Sequence, residues 1–278
     1  MSPSLFVQYI LPHRLLSRVV YWATRWTWRP WKDFLIAQIV QRYAVNLAEA
    51  EQPDARAYSN FNAFFTRALR AGARSFVGDP GSMLCPADGR ISQLGGILDG
   101  RIFQAKEHLF NAAELLADDN AANTYRDGSF VTVYLSPRDY HRVHMPLAGT
   151  LRETVHVPGR IFSVAPFAVA GIPRLFARNE RLVCHFDGER GPFVVVLVGA
   201  MLVSSVSTVW GGLQIPPYAS SIVQRDFRNQ SIVLERGAEL GRFNMGSTVI
   251  VLLPSAVQFD PALGPEQAVQ VGQTLGNL

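Results

Sequence analysis

Between Gly191 and Gln224 the chain carries no charged side chain. Such a stretch must either enter a bilayer or be buried on both sides within a protein. Its most apolar part, Phe193 to Trp210, reaches 18 residues, the lower edge of a membrane-spanning length. It also holds Val194-Val195-Val196, Gly199, Ser204, Ser205, Ser207 and Thr208. Valine-rich runs broken by glycine and hydroxyl residues favour strands, so the segment predicts a sheet covered on both faces.

Other short β-branched runs agree. Val131–Leu135 precedes the turn Ser136-Pro137-Arg138-Asp139, and Leu182–Phe186 precedes Asp187-Gly188. Ser231–Glu235 and Val249–Leu253 read the same way. The expected class is α+β: N-terminal amphipathic helices followed by a β-rich, largely antiparallel core. A length of 278 residues suits one large domain, or one domain with an appendage.

Residues 1–50 follow another pattern. Trp22, Trp26, Trp28 and Trp31 cluster there with Arg14, Arg18, Arg25, Arg29 and Lys32, and no acid precedes Asp33. Leu11, Leu15, Val19, Trp22 and Trp26 recur at helical spacing. A second helix is expected from Phe34 to Ala50, separated from the first at Arg29-Pro30. The arginines interrupt every apolar run, which argues against a spanning helix or a signal peptide. Tryptophan and arginine on an amphipathic helix suit the bilayer interface, and a net charge of +4 fits an anionic surface. The competing reading is a helical hairpin that covers the protein's own core. No nucleic-acid partner is expected, because these tryptophans share their faces with leucine and valine. After a polar linker at 51–60, Ser59 predicts the start of a short helix from Phe61 to Arg70.

Three groups carry chemistry. In Gly246-Ser247-Thr248, glycine permits a strained or left-handed backbone and open approach to its carbonyl. Ser247 Oγ can attack the Gly246 carbonyl carbon, exchanging the amide for an ester, with Thr248 as an oxyanion donor. Loss of the Ser247 Cα proton then expels the Gly246 carboxylate and leaves dehydroalanine. Tautomerisation to an imine and attack by water give a pyruvoyl group and ammonia. The second group, Asp139-Tyr140-His141-Arg142-Val143-His144, offers a base for the hydroxyl. On a strand His141 and His144 face opposite ways, so one of them is expected at the site. The third, Pro86-Ala87-Asp88-Gly89, offers a carboxylate to orient a histidine. Met245 and Val249 stand where a hydrolase elbow would place glycines, which disfavours an ordinary α/β-hydrolase. Cys85 and Cys184 are too few and too far apart for a disulfide framework or zinc site, and are read as buried, reduced thiols. No metal is expected.

These groups lie in order with further motifs: Phe61-Asn62-Ala63-Phe64-Phe65-Thr66-Arg67, Phe162-Ser163-Val164, Leu175 to Arg181, Thr208-Val209-Trp210, and Gly237-Ala238-Glu239-Leu240-Gly241-Arg242-Phe243. Together they make the chain resemble the short bacterial-type phosphatidylserine decarboxylases over most of residues 60–255. The resemblance implies that Ser247 becomes the pyruvoyl group and that the Gly246–Ser247 bond is the one cut. It implies Asp88 and His144 as charge-relay partners of Ser247, and His144 is the expected proton donor after decarboxylation. Chains 1–246 and 247–278 would result. Residues 1–58 would form the membrane-association region and 59–278 the catalytic domain. The implied reaction forms a Schiff base with phosphatidylserine and yields phosphatidylethanolamine and CO2. The implied setting is peripheral, on the cytoplasmic face of the cell membrane, against anionic phospholipid, as a homo-oligomer (a dimer). Met245 stands where leucine is common and Arg236 where lysine is common. Rival readings are an uncut β-rich binding module, a membrane-bound serine hydrolase, and a pyruvoyl decarboxylase of a soluble amino acid.

Overall fold

Strand Ser247–Leu253 lies in the middle of a nine-stranded antiparallel sheet, paired on one side with Gly191–Val198 and on the other with Ser129–Leu135. All seven of its residues are buried. The computed structural model describes residues 3–278 except 77, 80, 202–204, 217 and 219. From one edge the sheet runs Val223–Asp226, Gly149–Val157, Arg181–Gly188, Gly191–Val198, Ser247–Leu253, Ser129–Leu135, Gly89–Gly96 and Ala268–Val269. Val233–Leu234 also pairs with Gly149–Val157.

Strand alternation feeds two cores. Val195, Leu197, Val249, Val251 and Leu253 join one, on the side of the sheet that faces Phe243, Ile215 and Leu240. Val194, Val196, Val198, Ile250 and Leu252 join the other, with Phe162, Leu175 and Phe176. Burial on both faces is why this sequence shows runs of valine rather than polar–apolar alternation. The uncharged segment is thus resolved into strands, as its composition predicts, but Val209, Leu213, Ile222 and Val223 are exposed, so its later strands are not covered on both faces. It contributes Gly191–Val198, Val206–Thr208 and Gly212–Ile215, and its last residues begin Val223–Asp226. Ser204 lies outside the described residues. Among the described residues no helix is long and apolar enough to cross a membrane.

A four-stranded sheet of Gly212–Ile215, Val206–Thr208, Glu239–Phe243 and Arg142–His144 carries the histidine motif. Three helices open the chain: α1 (Pro3–Ile10), α2 (His13–Arg25) and α3 (Arg29–Tyr43). The class is α+β, as expected, with three N-terminal helices where the sequence pattern gives two. Pro30 stands in the first turn of α3. The helix stops before Ala50 because Ala44 turns left-handed, its N–H capping the Val40 carbonyl. The next helix, α4 (Phe61–Phe65), is shorter than the expected Phe61–Arg70 and is capped by Asn60 rather than Ser59. Leu69 leaves it to bridge with Ala50. Phe61, Phe64 and Phe65 form a third core with Ile36 and Val45, and Met245 packs against it.

Helix α2 is inverted. His13, Ser17 and Thr24 are its buried residues, while Leu15, Val19 and Trp22 are 60, 59 and 73% exposed. Among the described residues, nine of the nineteen large apolar side chains left exposed fall between Phe6 and Phe34. The helices are nonetheless docked: Gln8 accepts from the Ser163 amide at 3.0 Å, and Trp31 Nε1 donates to the Ala23 carbonyl at 2.8 Å.

Candidate active site

The histidine motif leaves a tight turn. The Asp139 amide donates to the Ser136 carbonyl, and the Asp139 carboxylate accepts from the Ser136 amide and hydroxyl at 2.6 and 2.7 Å. This places Tyr140 and His141 just before strand Arg142–His144.

His141 is wholly buried. Its Nδ1–H donates to the Asp139 carbonyl at 2.8 Å, which leaves the lone pair on Nε2. Burial pushes the ring's pKa down to about 3, against the opposing pull of that hydrogen bond. Nε2 has no hydrogen-bond partner, and a Cβ built on Gly246 would lie 3.9 Å from it. The ring facing the Gly246–Ser247 peptide is therefore a neutral acceptor. Phe65 of α4 covers it, ring centroids 4.0 Å apart.

Ser247 opens the central strand opposite Leu135. It is wholly buried, and its Oγ has no partner. An unpaired buried hydroxyl costs about 1–3 kcal/mol, a cost that a group kept for chemistry explains. Gly246 does not have the left-handed backbone expected of it, since its φ is not positive. The nearest atoms to an added Cβ are the Leu135 carbonyl at 3.8 Å and His141 Nε2. What glycine provides here is open approach to its carbonyl. Thr248 Oγ1 is buried and unpartnered, but alternation sends it to the opposite face from Ser247.

His144 is held on both ring nitrogens. Nδ1–H donates to the Gly237 carbonyl at 2.7 Å, and Nε2 accepts from the Tyr140 hydroxyl at 3.0 Å. Gly237 sits at φ +81°, a left-handed turn that suits glycine. Burial lowers the His144 pKa, and Phe76 stacks on its ring. Asp88 is bridged by Arg74 and accepts the Val271 amide at 2.8 Å; Arg74 also reaches Glu49 at 2.8 Å. The next residue must be glycine, because a Cβ on Gly89 would come within 2.1 Å of the Tyr134 carbonyl. The His144 amide donates to the Pro86 carbonyl at 2.8 Å, so the aspartate and histidine motifs lie side by side.

Among the described residues no hydrogen bond joins Asp88 to His144, or His144 to Ser247. The fold sets His141 against the bond, and it brings in residues to which sequence reasoning gave no role. Phe65 covers His141. Asn62 Nδ2 reaches Asn244 Oδ1 at 3.4 Å, and Asn244 in turn donates to Ser205 and Ser207 at 2.9 and 3.2 Å. Arg236 donates to the Gly78, Asp79 and Ser82 carbonyls. The motif Phe61 to Arg67 was the available signal for α4, since three phenylalanines on so short a helix need a partner surface.

Comparison with known proteins then decides the family. The model of the phosphatidylserine decarboxylase family matches residues 61–277. The chain belongs to the phosphatidylserine decarboxylase family. It is therefore an enzyme, a carboxy-lyase. A second model, described as PSD, matches residues 3–44, the three exposed helices. A phosphatidylserine decarboxylase proenzyme of Xanthomonas euvesicatoria pv. vesicatoria is 60% identical over 269 residues, covering 96% of each chain. One from Stenotrophomonas maltophilia is 59% identical over 279 residues, covering 100% of each.

Proposed function

We propose that the chain decarboxylates phosphatidylserine to phosphatidylethanolamine and CO2, after cutting its own backbone between Gly246 and Ser247. The substrate and the word proenzyme belong to the printed names of its relatives. The observation that carries the reading is the pairing of two buried, unpartnered atoms, Ser247 Oγ and the lone pair of His141 Nε2, at one peptide bond.

A pyruvoyl group at residue 247 supplies a carbonyl that captures the substrate amine and takes up the electrons CO2 leaves behind. The surroundings fit it: the position is wholly buried, and the orphaned Nε2 of His141 lies 3.9 Å from where a Cβ on the neighbouring Gly246 would stand. Asp88 and His144 remain the proposed relay pair for self-cleavage. In the uncut chain His144 Nε2 holds the Tyr140 hydroxyl, so its part requires that contact to exchange. His141 takes the role first expected of His144 in turnover. The substrate arrives as an ammonium, and Nε2 accepts one of its protons, then returns it to the carbon that loses CO2. The anionic groups of the substrate raise the ring's proton affinity as they enter.

Cleavage would not release residues 247–278. Ser247–Leu253 is hydrogen-bonded on both sides, Thr274–Asn277 pairs with Ser82–Leu84, and the Val271 amide holds Asp88. The exposed apolar side of α1–α3 is the proposed attachment to the cytoplasmic face of the membrane. Free thiols at Cys85 and Cys184 fit a reducing compartment.

Intact mass spectrometry tests the core of the reading. Wild type should give a 247–278 fragment with a keto terminus, and His144→Ala should stay uncut. His141→Ala should be cut but lose turnover by about 100-fold or more. An uncut wild-type chain that still releases CO2 from phosphatidylserine would sink it. Deleting residues 1–33 also removes Leu5 and Tyr9 from the second core, so the cleaner membrane test is Trp22, Trp26 and Trp28→Gln with cosedimentation on anionic liposomes.

A further inference from the structure

A cleft of about 620 Å³ lies between the end of α2, the 60–68 segment and the strands bearing Arg142 and Arg242. Arg25, Arg67, Arg142 and Arg242 line it, opposed by one carboxylate, Glu51. Two of the four have local company: Arg142 pairs with Glu239 at 2.8 Å, and Arg25 stacks on the Tyr21 ring at 3.6 Å.

Arg67 stands apart. It is 5% exposed. Its Nη2 donates to the Arg138 and Asp139 carbonyls at 3.0 and 3.4 Å, while Nε and Nη1 are buried without any hydrogen-bond partner. A buried guanidinium is normally saturated by carboxylate or carbonyl oxygens, because unfilled donors out of water are unfavourable. Asn62, on the same wall, also keeps an unpaired buried Oδ1. Through Asn62 the cleft wall reaches Asn244, three positions before Ser247. Arg25 ends α2 beside the exposed Trp26, which puts the cleft's rim next to the apolar helices.

We propose that this cleft holds the phosphodiester of the phospholipid headgroup, with Arg67 as its main ligand and Arg242 and Arg25 completing the positive field. The assignment rests on the function proposed above and names the residues that would confer its preference for a phospholipid. A guanidinium fork suits either of the substrate's two anions, so the choice between them rests on what the reaction does to the phosphodiester. Its charge is unchanged throughout the reaction. The carboxylate's charge moves away as CO2 forms, so an arginine clamp there would stabilise the starting state and oppose the step.

The test uses self-processed full-length enzyme with two soluble amines: dihexanoyl phosphatidylserine, and O-hexylserine, which keeps the amine and carboxylate but lacks phosphate. Wild type should favour the first in kcat/KM by 100-fold or more. Arg67→Met should cut that preference at least tenfold, mainly through KM, with Arg67→Lys recovering part of it. Inorganic phosphate should compete with dihexanoyl phosphatidylserine in wild type and lose that effect in Arg67→Met. If Arg67→Met yields no 247–278 fragment and so is not processed, the half-buried Arg242→Gln carries the same comparison, with a preference reduced at least threefold. An unchanged preference in a processed, active variant overturns the cleft's assignment alone. Phosphate that binds without competing makes it a free-phosphate site and overturns it too. Wild type that turns over neither amine removes the decarboxylase reading, and the assignment falls with it.

Discussion

Helix α2 and strand Ser247–Leu253 are both rich in large apolar residues, yet the fold treats them in opposite ways. The strand hides every side chain, including Ser247 and Thr248. The helix turns Leu15, Val19 and Trp22 outward and buries His13, Ser17 and Thr24. Apolar composition alone therefore does not say where a segment goes. A strand flanked by partners on both edges has its backbone satisfied and both faces covered, so apolar residues on each face are stabilising. A terminal helix with one docked polar side keeps its apolar stripe free for another solvent, and the tryptophans there suit a bilayer interface.

The sharpest break would come at the strand's first residue. Ser247→Ala should keep the fold and abolish both the 247–278 fragment and CO2 release, since it removes the hydroxyl proposed to attack the Gly246 carbonyl. Its melting temperature should equal or slightly exceed that of the uncut His144→Ala chain, because an unpaired buried hydroxyl is removed. A fall of many degrees would show that Ser247 is structural.

Within the strand, Ile250→Ala should cost about 2–5 kcal/mol in denaturant unfolding, as it opens a cavity in a core with no exposure. On the helix, Trp22→Ala should change stability by no more than about 0.5 kcal/mol, since the side chain is 73% exposed. The same substitution should weaken binding to anionic liposomes several-fold. Equal stability losses at the two sites would erase the contrast.

A pH-dependent effect separates the two regions as well. The His141 pKa falls from an ordinary 6.5 to about 3 on folding, so within that window the unfolded chain binds protons more readily than the fold. Stability from keeping this ring neutral is present above 6.5 and is lost as pH drops toward 3. His144 is lowered in the same direction by burial. His141→Gln should therefore make the melting temperature fall less steeply between pH 6.5 and 4. An unchanged acid slope would mean that the ring is already protonated in the fold.

Much of the strand was legible because a β-branched run without charge has few places to go. The motifs around Asp88, His144 and Ser247 were legible as chemistry-bearing groups, although each was separate. What could not be read was which atoms meet. His141 reaches the Gly246–Ser247 peptide because Phe65, 76 positions before it, presses on it and the local Asp139 turn fixes its ring. Arg74 on Asp88 and Tyr140 on His144 were equally invisible, since a polar residue's partner is set by whatever the packed core leaves beside it.

By itself, the sequence determined the α+β class, the doubly buried strand and the amphipathic N-terminal helices, because periodicity and charge are local properties of the chain. Only tertiary structure decided that His141 is the ring at the bond and that Arg67 is left with unfilled donors in a cleft. Those outcomes depend on side chains far apart in sequence being held a few ångströms apart by sheets and cores that no single segment encodes.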